Sequence, residues 1–390
     1  MRGSRDGGAD DPGDTGVTGV DAPVEVAWFA ALCDDDYEYL GVRDPALASS
    51  WAHCAGIVRR ADALGFDNCL LPSGYELGID ATAFAAAAAR ETSRMRLLLA
   101  VRLGELVVPQ LARQLATLDE LAGGRLTVNA ISSEMPGERL DGPARYRRTA
   151  EWVWALRELL AGRPVDVDGE HLRLRVDPPR ICRETPRHLP VYFGGLSEEA
   201  RECAARIADV YLMWPDVPAR IAEVVADVRR RAAAHGRTIE FGWRSHVIVR
   251  ATEDEARAAA RRLVSRLDDA TGAAIRARSL DAASAGVARQ RELRDDADAE
   301  GYVARHLWTG VGRARSGAGV AIVGDPDQVG GTLHELAHAG VRAFILSGYP
   351  HGEECELVAR HVLPRLAHAP LATPPSPAAS PAGLRGAGRP

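Results

Sequence analysis

The chain has 390 residues, 46% hydrophobic and 26% charged, with a formal net charge of −6; this is a globular composition, sized for one large α/β barrel or two ordinary domains. Its 48 basic residues are all Arg, with no Lys, which excludes Schiff-base chemistry, phosphate transfer through a P-loop Lys and attachment of pyridoxal phosphate. Mild acidity argues against a nucleic-acid groove, no apolar run is long enough to span a bilayer, and no signal peptide is expected.

Residues 1–22 are rich in Gly, Asp and Ser without apolar periodicity and are expected to form a disordered leader. From 23 to 368, short β-like runs alternate with amphipathic helices. Strands are predicted at 24–29, 68–71, 97–101, 126–131, 190–193, 210–213, 241–249 and 343–346. Helices follow several of them, among them 51–64, 110–122, 146–160 and 218–235. Eight such βα units are better explained by a (β/α)8 TIM barrel than by a doubly wound sheet. Residues 165–174 read as a hairpin around Asp168-Gly169. The stretch 268–305, rich in Asp, Arg and Ala and without a recognisable strand, is predicted to be a long, partly helical lid insertion. From 369 to 390 the Pro/Ala/Gly-rich composition predicts a disordered tail. The six Cys (33, 54, 69, 182, 203, 355) form no CxxC pair, which favours reduced thiols in a cytoplasmic protein.

In barrels of this kind the chemistry sits where strands end. Arg244 and His246 are two apart in a β run, so their side chains share a direction, and together they suit an anionic substrate and a proton transfer. The turn Gly194-Gly195-Leu196-Ser197 follows a strand and opens a helix, which suits either a phosphate or a plain capped helix start. Tyr146, at a helix start, offers a hydroxyl; Trp214 ends a strand where it would wall a pocket; Arg315 lies in a Gly-rich loop with no evident helical partner. Gly310-Val311-Gly312 fails the dinucleotide fingerprint, no strand being expected before it. His334-Glu335-Leu336-Ala337-His338 matches the HExxH zinc pattern, but Val329, Leu333 and Leu336 make the apolar face and leave the His pair to solvent, so no metal is expected.

Taken together, Trp28-Phe29, Leu71-Pro72-Ser73-Gly74, Ala112-Arg113-Gln114, Gly124-Arg125, Asn129, Tyr192-Phe193-Gly194-Gly195, Arg244 to Arg250, Leu307 to Gly312, Ser316 to Gly319 and Leu346 to His351 resemble, in one order, the bacterial luciferase-like flavin-dependent monooxygenases, and most closely their alkanesulfonate monooxygenase branch. The resemblance implies a TIM barrel with a lid that takes reduced FMN (FMNH2) from an NAD(P)H-dependent flavin reductase. It implies reaction with O2 to a peroxyflavin that attacks an organosulfonate, giving aldehyde and sulfite, and a homodimer or homotetramer. Matching positions make Arg244, His246, Arg315, Tyr349 and Trp214 the expected catalytic set. Asn129, Ser132, Tyr146, Gly194, Gly195 and Ser197 are the positions expected to meet the flavin.

Some positions depart from that pattern. The family cysteine after the Pro-Ser-Gly turn is absent, and the segments read Tyr75 to Asp80, Arg102-Leu103-Gly104-Glu105 and Ser132 to Pro136; the phosphate turn has Leu196 where a second Ser is expected. Glu76, Glu105 and Glu134 would meet a larger, zwitterionic or biosynthetic substrate. The alternatives are oxidation of another natural-product substrate, use of a deazaflavin, or a flavin-binding homologue with altered catalysis.

Overall fold

The computed structural model describes residues 22–373 apart from 136, 139 and 278–283, together with 385–386. The expected leader and most of the expected tail lie outside the described residues.

Eight strands form the centre: β1 Glu25–Phe29, β2 Asn68–Leu71, β3 Arg96–Arg102, β4 Leu126–Ile131, β5 Val191–Gly194, β6 Val210–Met213, β7 Glu240–Val249 and β8 Ala343–Ser347. Each is parallel to the next, and β8 returns to β1 with Ile345 opposite Ala27, so the sheet closes on itself. The result is the (β/α)8 barrel. Its strands read as apolar runs rather than alternating ones because both faces are buried. Ala27, Phe29, Leu70, Leu98, Ala100, Tyr192, Val210, Ala343 and Ile345 cluster inside the barrel. The intervening Trp28, Leu71, Leu99, Phe193, Trp243 and Phe344 pack outward with the helices.

The helices begin where the sequence supplies a cap. Side-chain oxygens of Ser50, Asp80, Asp141 and Ser197 accept from the backbone N–H three residues on, satisfying donors a helix start leaves open. No helix among the described residues is long and apolar enough to cross a membrane.

The floor of the barrel is polar and closed. Glu25, fully buried, accepts from Tyr192 Oη at 2.6 Å, from Asn68 Nδ2 at 3.2 Å and from the backbone N–H of Leu371 at 3.0 Å. Arg96 donates to the Leu371 carbonyl, and Ala369 N–H to Val24 O. Residues 369–371 are therefore bonded to β1, and the tail boundary expected at 369 is corrected to a point beyond them.

β7 outruns its neighbours. Its last residues, from His246 on, pair with the parallel strand Ala321–Gly324, which carries the antiparallel strands Leu307–Trp308 and Tyr302–Ala304. Two findings here differ from expectation. The insertion 268–305 holds helices Asp269–Ala277 and Ala285–Asp295 but also the strand Tyr302–Ala304. A short strand does precede Gly310, but residues Gly310–Arg313 make a single 3-10 turn, and a Cβ at Gly310 would lie 2.0 Å from the Trp308 ring, so that glycine serves packing.

Candidate active site

Arg244 and His246 sit on consecutive inward positions of β7, opposite Ile345 and Ser347 of β8. Both are buried, as are Tyr349 in the loop after β8 and His351 at the start of helix His351–His361. The side chains converge on Phe29 at the end of β1. The Arg244 guanidinium lies 4.4 Å from its ring centroid and that of Arg315 5.5 Å, both within cation–π range. His351 stacks on Phe29 at 5.4 Å, His246 on Tyr349 at 5.1 Å, and Tyr349 meets His351 edge-on at 5.2 Å. Arg244 donates to Ser347 Oγ at 2.8 Å; Arg315 donates to Tyr349 Oη and to Asp35 Oδ2, each at 2.8 Å.

The electrostatics of this cluster are unbalanced toward positive charge. Burial, then Arg315, lower the proton affinity of Arg244 to about 9. Burial also opposes the charge on Arg315, but Tyr349 and Asp35 outweigh it and hold its proton more firmly than usual. His246 is driven well below its ordinary range by burial and then by Arg244 and Arg315, and His351 is lowered by burial, so both are neutral imidazoles at pH 7. Among the described residues neither ring nitrogen of either histidine has a hydrogen-bond partner, and Asp35 Oδ1 is likewise buried and without one. Buried polar atoms are normally satisfied. Each neutral imidazole offers one N–H donor and one acceptor, so two N–H donors stand beside two guanidiniums, a set suited to an anion with several acceptor oxygens.

The six positions expected at the flavin, Asn129, Ser132, Tyr146, Gly194, Gly195 and Ser197, all line one cavity of about 610 Å³ above β4, β5 and β6. Gly194 needs to be glycine because a Cβ there would lie 2.4 Å from Leu212 O; at Gly195 it would lie 2.6 Å from Ala200 Cβ and 3.4 Å from Tyr146 Oη. Tyr211 fixes the turn by donating to Gly195 O at 2.6 Å. The turn thus presents backbone at the start of helix Glu198–Ile207, where partial positive charge gathers. Ser132 Oγ accepts from Thr149 and keeps its own proton to donate. Trp214 lies in the wall of this cavity rather than in the arginine cluster; Gly286 and Gly317 are both in van der Waals reach of its ring.

A second cavity, of about 690 Å³, is lined by Ser73 to Tyr75, Leu77 to Asp80, Glu105, Met135, Gly137 and Glu138. It holds most of the segments that depart from the family pattern. Of the three acids singled out, Glu105 lines it and pairs with Arg102 at 3.1 Å, whereas Glu134 lines the first cavity and pairs with Arg145, and Glu76 lines neither. Cys33 joins this cavity to the arginine cluster. Its Sγ is 3.2 Å from where a Gly74 side chain would start, and two residues on Asp35 holds Arg315. Burial and Asp35 push the Cys33 thiol up to about 12, so it is not a thiolate nucleophile.

Sequence reasoning missed Asp35, Phe29 and His351 as members of the cluster. The signal for the first was the acid run Asp34-Asp35-Asp36 just beyond β1. The HExxH pattern lies on the exposed face expected of it: His334 and His338 are exposed on helix Pro326–His338.

The segment bearing Tyr349 and His351 rests on an ion pair whose carboxylate is buried and whose guanidinium is partly exposed. Arg250, just past β7, forks onto Glu354 at 2.5 and 3.1 Å, and Glu354 packs under Gly348. Burial outweighs Arg250 and raises the Glu354 carboxyl from 4.5 to about 7. The folded protein then binds this proton more tightly than the unfolded chain, so its contribution is largest below about pH 4.5 and is lost as pH rises through about 7, on the order of 3 kcal/mol. Denaturant unfolding at pH 5 and pH 8 is expected to show Glu354→Gln lacking that loss. Equal pH slopes in both proteins would contradict it.

The model of the family described as luciferase-like monooxygenase matches residues 26–343. A sulfoquinovose monooxygenase of Novosphingobium aromaticivorans is 57% identical over 89% of this chain and 98% of its own length. A sulfoquinovose monooxygenase of Agrobacterium fabrum is 48% identical over 90% and 92%. Among solved structures, riboflavin lyase shares the fold with a TM-score of 0.73 at 17% identity, over 90% of this chain and 94% of that one. An inward-facing charged cluster at the strand ends of such a barrel, with this match over most of its length, makes the chain a member of the luciferase-like monooxygenase family and a monooxygenase.

Proposed function

We propose that this enzyme uses reduced FMN and O2 to cleave the C–S bond of a sulfonated sugar of the sulfoquinovose type. The observation that carries the reading is the cluster of Arg244, Arg315, His246 and His351 around Phe29 and Tyr349, in which the imidazole ring nitrogens have no hydrogen-bond partner among the described residues. The relatives' substrate is a sugar bearing a sulfonate, an anion whose three oxygens suit that cluster.

The residues present fit the flavin. The cavity volume lies within the range of about 300–1,000 Å³ usual for ligand sites, and the Gly194-Gly195 turn is a cradle that a side chain would fill. Gly194, Gly195, Ser197 and Tyr146 would hold the phosphate, and Asn129 and Ser132 the ring system. Bound reduced FMN would supply two electrons and activate O2.

The protein's own part is to bind and orient. Arg244 and Arg315 take sulfonate oxygens through planar forks, a geometry suited to guanidinium rather than ammonium. Neutral His246 and His351 donate N–H groups without adding charge. Tyr349 accepts from Arg315, which leaves its proton to donate to the reacting oxygen. Trp214 screens the reacting carbon from water. The balance is one oxygen atom of O2 into the aldehyde and one into water, with sulfite leaving and one proton released.

The hydroxylated part of the sugar is assigned to the second cavity, where Glu105 and Glu138 accept from hydroxyl groups. Glu105→Leu is expected to raise KM for the sugar sulfonate about tenfold, the worth of one hydrogen bond to a charged group. KM for a plain alkanesulfonate should stay within about twofold. Equal changes for both substrates would remove the assignment.

The function is tested by supplying reduced FMN from an NAD(P)H-dependent flavin reductase, with O2 and sulfoquinovose, and measuring sulfite. Stoichiometric sulfite is expected. Oxygen consumption with no sulfite would overturn the reading, and activity with a reduced deazaflavin alone would reassign the cofactor.

A further inference from the structure

Helix Ala285–Asp295 forms one wall of the 610 Å³ cavity through Ala285, Gly286, Arg289 and Gln290. On that helix Gln290 is 3% exposed, an unusual place for a primary amide unless both ends of the amide are used. They are. Nε2 donates to Pro215 O at 2.8 Å, and Oε1 accepts from the backbone N–H of Gly319 at 3.0 Å. Pro215 follows Trp214 at the end of β6, and Gly319 ends the loop that carries Arg315. One side chain therefore spans the loop of the cavity wall and the loop of the arginine cluster.

The surrounding contacts are arranged around this bridge. Gly286, one turn earlier, lets the helix rest on Trp214, since a Cβ there would lie 2.9 Å from the indole; a Cβ at Gly317 would lie 3.6 Å from the same ring. Gly319 packs on Gly312, where a Cβ would lie 2.7 Å from Gly312 Cα, and its carbonyl accepts from Gly312 N–H at 2.8 Å. Arg289 adds a two-pronged ion pair to Asp216 at 2.7 and 2.8 Å. That pair is partly exposed and joins the helix to the β6 loop only. Gln290 alone, among the described hydrogen bonds of this helix, reaches both loops.

We propose that Gln290 is a positioning residue that couples closure of the flavin cavity to placement of Arg315 in the arginine cluster. This rests on the flavin and sulfonate reading given above. If ordering the helix over one ligand also orders the Gly319 loop, each ligand tightens the other, and the two effects are equal by linkage.

The test compares wild type with Gln290→Met, which keeps length and burial but removes both hydrogen bonds, and Gln290→Glu, which keeps the acceptor and loses the donor. Two readouts are taken. Hydrogen exchange on the ligand-free proteins is expected to speed up at least tenfold at 315–319 and 214–217 in Gln290→Met, with global unfolding unchanged. Anaerobic titrations are expected to show reduced FMN tightening sulfoquinovose at least fivefold in the wild type and not in Gln290→Met, with Gln290→Glu intermediate. Each ligand alone is expected to bind the variant more weakly, so the readout is the ratio of the affinities with and without the other ligand, which a merely structural role would leave at the wild-type value. Unchanged exchange, or coupling that survives in both variants, would overturn the proposal. Failure of the functional reading shows separately, as absence of sulfite from the wild type. Should Gln290→Met fail to fold, coupling in Gln290→Glu reduced below that of wild type supports the proposal, and coupling equal to wild type overturns it.

Discussion

Replacement of Arg244 by methionine is expected to lower kcat/KM for the sugar sulfonate by about a thousandfold while leaving the affinity for reduced FMN within about twofold of wild type. Arg244 is the deeper of the two arginines and is bonded to Ser347, with its guanidinium over Phe29. Unlike Arg315, which holds Asp35, it has no carboxylate partner among the described ion pairs. Its buried charge is thus only partly compensated, by Tyr349 and Asp35, and burial, then Arg315, lower its proton affinity to about 9. An arriving sulfonate supplies the missing negative charge. Removing one member of a buried hydrogen-bonded charge pair costs about 2–5 kcal/mol, or about 30- to several-thousandfold. Methionine fills the volume over Phe29, so the loss reads as charge and hydrogen bonds rather than as a cavity. Lysine at the same place is expected to recover only part of the loss, since an ammonium offers a point charge and no fork. Steady-state kinetics with sulfite detection, alongside flavin titration, decide it. A loss of flavin affinity as large as the loss in kcat/KM would mean that Arg244 supports the barrel rather than the anion.

The barrel was legible because burial on both faces writes most of each strand as apolar residues, and all eight predicted runs became barrel strands. The pairing of Arg244 with His246 was legible for the same geometric reason: in a strand, alternate residues share a face. The acid loop was not. Asp34, Asp35 and Asp36 are consecutive and lie outside regular structure, so no period says which turns where. In the fold Asp34 meets Arg43 and Ser49, Asp35 meets Arg315, and Asp36 meets His53 and the backbone N–H of His351. Three identical residues thus have three destinations, each set by long-range packing. The strand Tyr302–Ala304 is too short for an alternating pattern to stand out, and it exists through its partner Leu307–Trp308. Composition placed the tail at 369, yet what holds 369–371 is the buried Glu25 at the far end of the sequence, together with Arg96. Backbone bonds of that kind leave no mark on side-chain type.

The complementary experiment is Gly195→Ala, expected to weaken reduced FMN binding about a hundredfold and to leave sulfonate binding to the flavin-free protein within about twofold. Gly195 has φ of 150°, a region L residues rarely enter. A Cβ there would stand 2.6 Å from Ala200 Cβ and 3.4 Å from Tyr146 Oη. Ala200 is the residue whose N–H Ser197 caps, so relieving the overlap moves the helix start, the cap and the Tyr146 hydroxyl together. These are the groups assigned to the flavin phosphate. Hydrogen bonds to a charged group are worth about 1.5–3 kcal/mol each, so misplacing one or two of them gives the expected loss. The arginine cluster is built on β1, β7 and β8 and should not feel the change. If the alanine variant proves poorly folded, Ser197→Ala removes the cap alone and is expected to weaken reduced FMN about fivefold in the same direction. Arg244→Met and Gly195→Ala should therefore fail in opposite ways, one binding flavin without turning over the sulfonate and the other binding sulfonate without holding flavin. Only two separate sites, meeting at the mouth of one barrel, produce that crossing; a single shared pocket would make both variants lose both ligands.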